Sequence, residues 1–246
     1  MKFGKGRKPF SFWLLVPGRH EQFFTTSITT QIFCEKFIHF DILTFLLKSV
    51  IIITSRGQGK PHKKGIDTMF TNELSRIKNE SLRNAVAEYM TSAVPTYFFE
   101  IGASSSGKYH PAFSQGKGGL VRHTKAVVMV LDELLKLNTY ACMPEDYKDY
   151  AYAAAIIHDT CKYGMTAEMD KSQYADHAKN ACVNWETFCA EAGLTFSPFV
   201  GMAIRSHMGQ WTTEKEDKPF TNIDRVVHLA DYIASRSFID IPALHE

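Results

Sequence analysis

Residues 151–164 have the sequence AYAAAIIHDTCKYG, in which an apolar run ends abruptly in the pair His158–Asp159. The Ala and Ile residues predict a buried helix, and a charge at its buried end needs a partner or a metal ion. One interpretation is an ordinary helix terminus, where His158 and Lys162 favour the negative end of the helix dipole and Gly164 ends the helix. The other is a metal site, and the rest of the chain has to distinguish the two.

The chain downstream of Met69 has a regular helical periodicity. Apolar residues recur at helical spacing in six segments, and no run of appreciable length alternates with the period of a β-strand. We therefore expect an all-α fold, a compact helical domain. A segment rich in Ser, Gly and Pro, residues 91–119, predicts a long loop of the kind that is often functional. The predicted helices are 70–90, 120–137, 147–158, 174–193, 197–211 and 222–236.

Four of these helices each place a polar side chain on the apolar face, namely His123, His177, His207 and Asp231. A single histidine there is usually a hydrogen-bonded core residue, and a single aspartate could pair with another helix. Together with His158–Asp159, however, they form a set of six that could bind one or two divalent ions. Imidazole and carboxylate ligands suit Mn, Fe, Co, Ni or Zn, and Mg is also possible.

The order H…HD…H…H…D resembles that of the HD-domain metal-dependent phosphohydrolases. The resemblance covers about residues 74–236 and rests on GGLVRHT around His123, IIHDTCK around His158 and HLADYIASR around Asp231. The two further histidines resemble the branch that binds two metals. The chain looks closest to HD domains of bacterial and phage proteins related to 3′→5′ exoribonucleases, which also have a YHP-like loop before the GGL. The resemblance implies an HD-domain helical bundle.

The resemblance also implies roles for these side chains. Two ions a few ångströms apart can activate a water and bind the attacking and leaving oxygens of a phosphoryl group. Asp159 is therefore one candidate catalytic residue. Lys162 is the other, because its ammonium could donate to a non-bridging phosphate oxygen; the alternative for Lys162 is a solvated charge at a helix end. By the resemblance, His123, His158, Asp159 and Asp231 would bind the first ion, and Asp159 would bridge to a second ion held by His177 and His207.

Four further side chains are candidates for substrate binding. The loop SSSGKYHPAF contains Lys108 and His110, and its backbone N–H groups could contact phosphate; otherwise it is a surface connection. Arg122 and Arg205 each lie close to a predicted metal ligand in sequence, so each either faces the substrate or is merely exposed. His228, one helical turn before a predicted ligand, is expected to pack or to orient a ligand and not to bind an ion.

Departures from the family pattern narrow the expected substrate. HDTCK stands where many relatives have HDIGK, which leaves the ligands and the lysine intact. The GYP signature of cyclic dinucleotide phosphodiesterases is absent, and no nucleic-acid-binding barrel precedes the helical segment. Residues 1–68 contain eleven Lys or Arg against four Asp or Glu, whereas residues 69–246 contain seventeen against twenty-two. The mildly acidic larger part argues against a broad nucleic-acid-binding face.

Residues 1–68 are predicted to form an N-terminal extension that is outside the HD-type domain of residues 69–246. Their pattern sustains neither a helical nor a strand period. Lys48 interrupts the most hydrophobic run, DILTFLLKSVIIIT, so we expect no membrane association. The codons for Lys-Lys-Gly shortly before Met69 resemble a bacterial ribosome-binding site. This motivates the hypothesis that translation begins at Met69.

The expected function is a metal-dependent phosphohydrolase, either a phosphomonoesterase or a phosphodiesterase. A metal-activated water would cleave a phosphoester of a nucleotide or of a short nucleic-acid 3′ end. The five cysteines show no paired spacing, which is typical of a reduced, cytoplasmic protein. Two alternatives stay open: a di-iron HD-fold oxygenase, which would use the same six ligands, and a non-catalytic nucleotide-sensing HD module. The sequence indicates no particular protein partner.

Overall fold

The computed structural model describes residues 68–104, 109–212 and 214–245. Within these ranges the chain forms eight α-helices and no β-strand, which confirms the predicted all-α fold. None of the helices in the described part combines the length and hydropathy that crossing a membrane requires. The helices are α1 (Thr71–Leu74), α2 (Glu80–Ser92), α3 (Gly119–Leu134), α4 (Asn138–Ala141), α5 (Glu145–Ile157), α6 (His177–Glu191), α7 (Phe199–Ser206) and α8 (Asn222–Ala234).

Helix α5 is the centre of the bundle. Every residue from Ala151 to Ile157 is buried, and the helix packs against α1, α2, α3, α7 and α8. The small side chains of the alanines let these helices approach α5 closely. Because protein interiors are close-packed, larger side chains at these positions would not fit without a shift of the helices. The predicted buried helix is confirmed, and its C-terminal end delivers His158 and Asp159 into the middle of the domain.

The first predicted helix is wrong as a single element. The structure has two helices, α1 and α2, separated by residues 75–79. Asn79 caps α2 by accepting a hydrogen bond from the backbone N–H of Leu82 at 2.9 Å. The carboxylate of Asp149, on α5, accepts from the backbone N–H groups of Lys78 at 2.7 Å and Asn79 at 2.8 Å. Apolar spacing continues across the break, but these polar acceptors end one helix and begin the next.

The start of α3 depends on a close backbone approach. A Cβ on Gly119 would lie 2.2 Å from the carbonyl oxygen of Ser114, so no larger residue fits there without a shift of the loop. The preceding loop contains two short 3₁₀ turns, Thr96–Phe99 and Ala112–Ser114. The second turn packs on α3, and this contact fixes the helix one turn before His123.

Two further helix boundaries differ from the predicted ones. The segment predicted to start a helix near residue 174 is a 3₁₀ turn, Lys171–Asp176, and α6 begins at His177. Helix α7 ends at Ser206, and His207 is its C-terminal cap. In both cases the break brings a histidine to the end of a helix, where its side chain reaches the same central region as His158.

Candidate metal centre

Six side chains converge at the end of α5. They come from five positions in the bundle, and the residues just after α5 contribute two of them. The other four positions are the second turn of α3, the first residue of α6, the cap of α7 and the last turn of α8. Three groups of them have ligand atoms that all lie within 4.8 Å of one another. These groups are His123, His158 and Asp159; His158, His207 and Asp231; and Asp159, His177 and His207.

Asp159 lies between two pairs of histidines. Its Oδ1 is 3.1 Å from Nε2 of His177 and 3.7 Å from Nε2 of His207. Its Oδ2 is 3.9 Å from Nε2 of His123 and 3.8 Å from Nε2 of His158. Each carboxylate oxygen therefore faces its own pair of imidazoles.

Three of the histidines are oriented by the backbone of their own helical turn. In each, Nδ1 lies within hydrogen-bond distance of the carbonyl oxygen three residues earlier. A carbonyl oxygen only accepts, so each Nδ1 carries a proton, and in the neutral form of each ring the Nε2 lone pair faces the centre. The distances are 2.8 Å for His158 to Ala155, 2.7 Å for His177 to Tyr174 and 2.7 Å for His207 to Ile204.

These lone pairs face one another. The Nε2 atoms of His177 and His207 are 3.1 Å apart, and His158 Nε2 is buried without a hydrogen-bond partner among the described residues. Two lone pairs at that distance repel unless a positive species lies between them. Neutral imidazole nitrogens and carboxylate oxygens are the ligands that divalent transition metals prefer. The side chains present therefore fit a metal centre.

Burial sets the charge states of the centre. The side chains of His123, His158, Asp159, His177 and His207 are at most 5% exposed, whereas that of Asp231 is 18% exposed. Burial lowers the pKa of His158, and it lowers the pKa of His207 to about 3 with help from the neighbouring imidazoles. Both rings are therefore neutral near pH 7, the form that binds a metal ion.

The two carboxylates stay charged. Burial alone would raise the pKa of Asp231, but the hydrogen bond from His123, 3.0 Å from its Oδ1, and the nearby His158 outweigh burial and lower it. For Asp159, burial is likewise opposed, first by Lys162 and then by His158 and His177, and its pKa lies well below the usual range. The centre thus combines two anionic ligands with imidazoles.

Lys162 is part of the centre. Its side chain is only 4% exposed, and its Nζ lies 2.9 Å from Oδ2 of Asp159. Burial alone would lower its pKa, but the charge of Asp159 outweighs burial and raises it, so the ammonium stays protonated. The interpretation of Lys162 as a solvated helix-end charge is therefore wrong. It lies in a turn that follows α5 and not in a further helical turn.

Tyr174 and His110 also border the centre. The Tyr174 ring stacks on His177 with centroids 5.4 Å apart, and Lys162 Nζ lies 5.8 Å from the Tyr174 ring centroid. Nothing in the sequence distinguished Tyr174 from other tyrosines. The His110 ring lies 5.5 Å from that of His123, and burial, followed by the charge of His123, lowers the pKa of His110 to about 4. The other predicted loop residue, Lys108, lies outside the described residues.

The two predicted substrate-binding arginines make contacts within the protein. Arg122 donates to the carbonyl oxygens of Gln115 and Lys117 at 2.9 and 3.0 Å, and also to that of Phe113. These bonds hold the loop before α3. Arg205 pairs with the buried carboxylate of Asp217. A contact of either guanidinium with substrate stays a prediction.

His228 contacts a ligand without belonging to any of the three ligand groups in the described part of the chain. Its Nδ1 lies 2.7 Å from the carbonyl oxygen of His207. Its ring packs against Trp211 and Tyr232. His228 therefore packs beside the centre and helps to hold the backbone of His207.

Comparison with known proteins gives a match to one family model. The family model for the HD domain matches residues 120–236, which extend from the first turn of α3 to just beyond α8. The match supports the HD-domain superfamily for this part of the chain, and the all-α fold is consistent with it. No curated protein and no solved structure matches the chain.

Proposed function

We propose that this protein is a metal-dependent phosphohydrolase that cleaves a phosphoester or phosphodiester of a nucleotide or of a nucleic-acid end. HD domains in general bind divalent metals and are metal-dependent hydrolases. The observation that carries the proposal is the position of Asp159, whose two oxygens face separate pairs of histidines. A carboxylate in that position suits a pair of ions, and paired ions suit phosphoryl transfer.

The proposed binuclear centre divides the ligands into two sets. When bound, divalent ions supply a nucleophilic water at neutral pH and stabilise charge on the phosphoryl oxygens. Three of the histidines support this assignment: His158, His177 and His207. Because Nδ1 of each donates to a backbone carbonyl, the neutral ring has Nε2 available to bind an ion. The first ion would be held by His123, His158, Asp159 and Asp231, and the second by His177 and His207 with Asp159 shared.

Lys162 has the position that a phosphate-binding cation needs. Its ammonium has three N–H donors, and Asp159 accepts from one of them. A further donor could bind a non-bridging phosphate oxygen, in a buried setting where a charged hydrogen bond is strong. Asp159 would in turn keep the ammonium oriented and protonated before substrate arrives, so that little reorganisation is needed during the reaction.

The proposal is tested by metal loading followed by a substrate screen. Purified protein is stripped of metal and reloaded separately with Mn, Fe, Co, Ni, Zn or Mg. Release of p-nitrophenol from p-nitrophenyl phosphate and bis(p-nitrophenyl) phosphate is then measured, together with hydrolysis of nucleotides. We expect hydrolysis with at least one ion. Asp159→Ala should abolish it, whereas Asp176→Ala, which removes an exposed carboxylate next to His177 at the start of α6, should not.

Two outcomes would favour the alternatives. Protein that binds iron and consumes dioxygen, without hydrolysing any phosphoester, would indicate an HD-fold oxygenase. Protein that binds nucleotides without hydrolysing them under any metal condition would indicate a sensing module. Either result contradicts the proposed hydrolase, even if the metal centre itself is present.

A further inference from the structure

An exposed group of aromatic rings and a guanidinium lies beside the metal ligands. Trp211 stacks on Tyr232, with ring centroids 5.5 Å apart and an angle of 21° between the planes. The Arg236 guanidinium lies 4.4 Å from the centroid of Tyr232 and 5.8 Å from that of Trp211. Trp211 is nevertheless 50% exposed. We call Trp211, Tyr232 and Arg236 the Trp211 stack.

The Trp211 stack lies beside two of the six predicted ligands, Asp231 and His207. Asp231, the most exposed of the six ligands, immediately precedes Tyr232 on α8. The His228 ring lies 6.1 Å from that of Trp211, and the same imidazole contacts the carbonyl oxygen of His207 at 2.7 Å. One imidazole thus separates the Trp211 ring from the backbone of a predicted metal ligand. A molecule whose phosphate reaches the centre could place its remaining part on the Trp211 stack.

The backbone of this region is built to present Trp211. The residue belongs to a short turn, Gly209–Trp211, in which Gly209 has a φ of 57°. A Cβ on Gly209 would lie 2.1 Å from Cε1 of His228, so the turn presses directly against that ring. Arg236 is fixed as well, since its Nε donates to the carbonyl oxygen of Tyr232 at 3.0 Å. The Trp211 stack is therefore supported by contacts within the protein on the side of His228 and through the backbone of Tyr232.

We infer that the Trp211 stack binds the base of a nucleotide substrate, with the base lying on the exposed part of the Trp211 ring. This inference rests on the proposed phosphohydrolase function and adds to it a specificity site. Nucleobases stack on aromatic side chains and on guanidinium planes, and such stacking is tolerant of base identity. The Trp211 stack therefore selects for a planar aromatic group attached to the phosphate, and it discriminates weakly among bases.

The kinetic test compares two substrates with the same 5′-phosphate and different remaining parts. Adenosine 5′-monophosphate carries a base, and ribose 5-phosphate does not. In metal-loaded Trp211→Ala we expect KM for adenosine 5′-monophosphate to rise roughly 5- to 150-fold, the range for loss of one stacked base. The rate on ribose 5-phosphate and the metal content should not change. Trp211→Phe should keep most of the affinity. Phe238→Ala, which removes an exposed aromatic ring outside the stack, should behave as wild type.

Binding is measured separately, by tryptophan fluorescence. Among the described residues the other tryptophan, Trp185, is 3% exposed, so a ligand that stacks on Trp211 should quench a component that Trp211→Phe removes. Metal-loaded protein is titrated with the four ribonucleoside 5′-monophosphates and with ribose 5-phosphate. We expect quenching by the nucleotides, lost in Trp211→Phe, and little by ribose 5-phosphate.

The outcomes separate the two proposals. Phosphoester hydrolysis with no quenching by any nucleotide, and an unchanged KM in Trp211→Ala, would overturn the base-binding site and leave the hydrolase standing. Equal losses on both substrates in Trp211→Ala would also overturn it, because they would show a structural role. Quenching without hydrolysis of any phosphoester would support the Trp211 stack as a base-binding site and contradict the hydrolase.

Discussion

The ammonium of Lys162 and the carboxylate of Asp159 form an ion pair, 2.9 Å between Nζ and Oδ2, whose two side chains are at most 5% exposed. Removing one member of such a pair leaves the other charge buried without compensation, which is strongly destabilising in general. The same carboxylate also faces four histidines. The pair therefore links the stability of the domain to the charge of its centre, so the fold of each Lys162 variant has to be verified by circular dichroism before its rate is interpreted.

Lys162→Ala should leave the metal content nearly intact and lower turnover by about 10²–10³, the typical cost of losing one preorganised donor to a transition-state oxyanion. Lys162→Arg should recover part of the rate, because a guanidinium has a different reach and geometry. Rates on p-nitrophenyl phosphate and metal content are measured on the same samples. An unchanged rate in Lys162→Ala would limit the lysine to neutralising Asp159.

Wild-type protein should contain one to two divalent transition ions per chain. His158→Ala and Asp159→Ala should each abolish binding of at least one ion, since both face several other ligand atoms. His177→Ala should deplete the second ion and retain the first. Elemental analysis after gentle purification measures all of these, with the exposed His245→Ala as a control. Protein that contains no metal and rebinds none of Mn, Fe, Co, Ni or Zn would show that there is no metal centre.

Metal removal should lower the melting temperature. The Nε2 atoms of His177 and His207, 3.1 Å apart, repel in the absence of a cation between them. A ligand that binds the folded state alone adds about 2.7 kcal/mol at 100 times its dissociation constant. A thermal melt followed by circular dichroism, with and without chelator, measures the difference. Protein with the His177→Ala substitution should gain less from added metal; an equal gain would place the stabilising ion elsewhere.

Asp149→Ala should destabilise the fold without changing the metal content. The buried carboxylate accepts two backbone N–H groups at the start of α2, and leaving such donors unsatisfied costs about 1–3 kcal/mol. Urea unfolding followed by circular dichroism gives the loss. The matched control is Asp146→Ala, which removes an exposed acid in the first turn of α5, the helix that contains Asp149. Equal effects of the two substitutions would refute the capping role of Asp149.

A chain that begins at Met69 should remain folded, with helical circular dichroism and a cooperative melt. The prediction rests on the uneven charge of the sequence and on the segment KKGIDTM. Full-length protein under the same conditions is the control. If deleting residues 1–68 unfolds the helices, those residues are part of the native domain and the hypothesis of a start at Met69 is wrong.

Helical periodicity was enough to predict the elements around the centre. It placed His123 on the buried face of α3, and the structure buries that side chain to 1% exposure. The same reasoning located α5 and α8, because 3.6-residue spacing reports directly which face of a helix is covered. The candidate ligands came from polar residues at positions where this spacing predicts apolar ones, together with the pair His158–Asp159. The structure brings their side chains together, and metal binding stays a prediction.

The parts that periodicity missed depend on contacts between distant segments. The break between α1 and α2 requires Asp149, about seventy residues away along the chain. The burial of Lys162 requires Tyr174 and the carboxylate of Asp159 to cover it. The stacking of Trp211 on Tyr232 likewise joins a loop to a helix. A local pattern contains no information about such partners.

The bonds from Nδ1 of His158, His177 and His207 to backbone carbonyls bear on how this centre withstands mutation. In many metal sites a separate carboxylate side chain orients the ligand, and one codon change can delete it. Here each orienting group is a peptide carbonyl three residues earlier, which every amino acid supplies. These three hydrogen bonds therefore depend on the backbone at Ala155, Tyr174 and Ile204 and not on the side chains there, whose roles are in packing. In protein design, each histidine could be placed in another helical scaffold together with its own turn, without a second side chain to orient the ring.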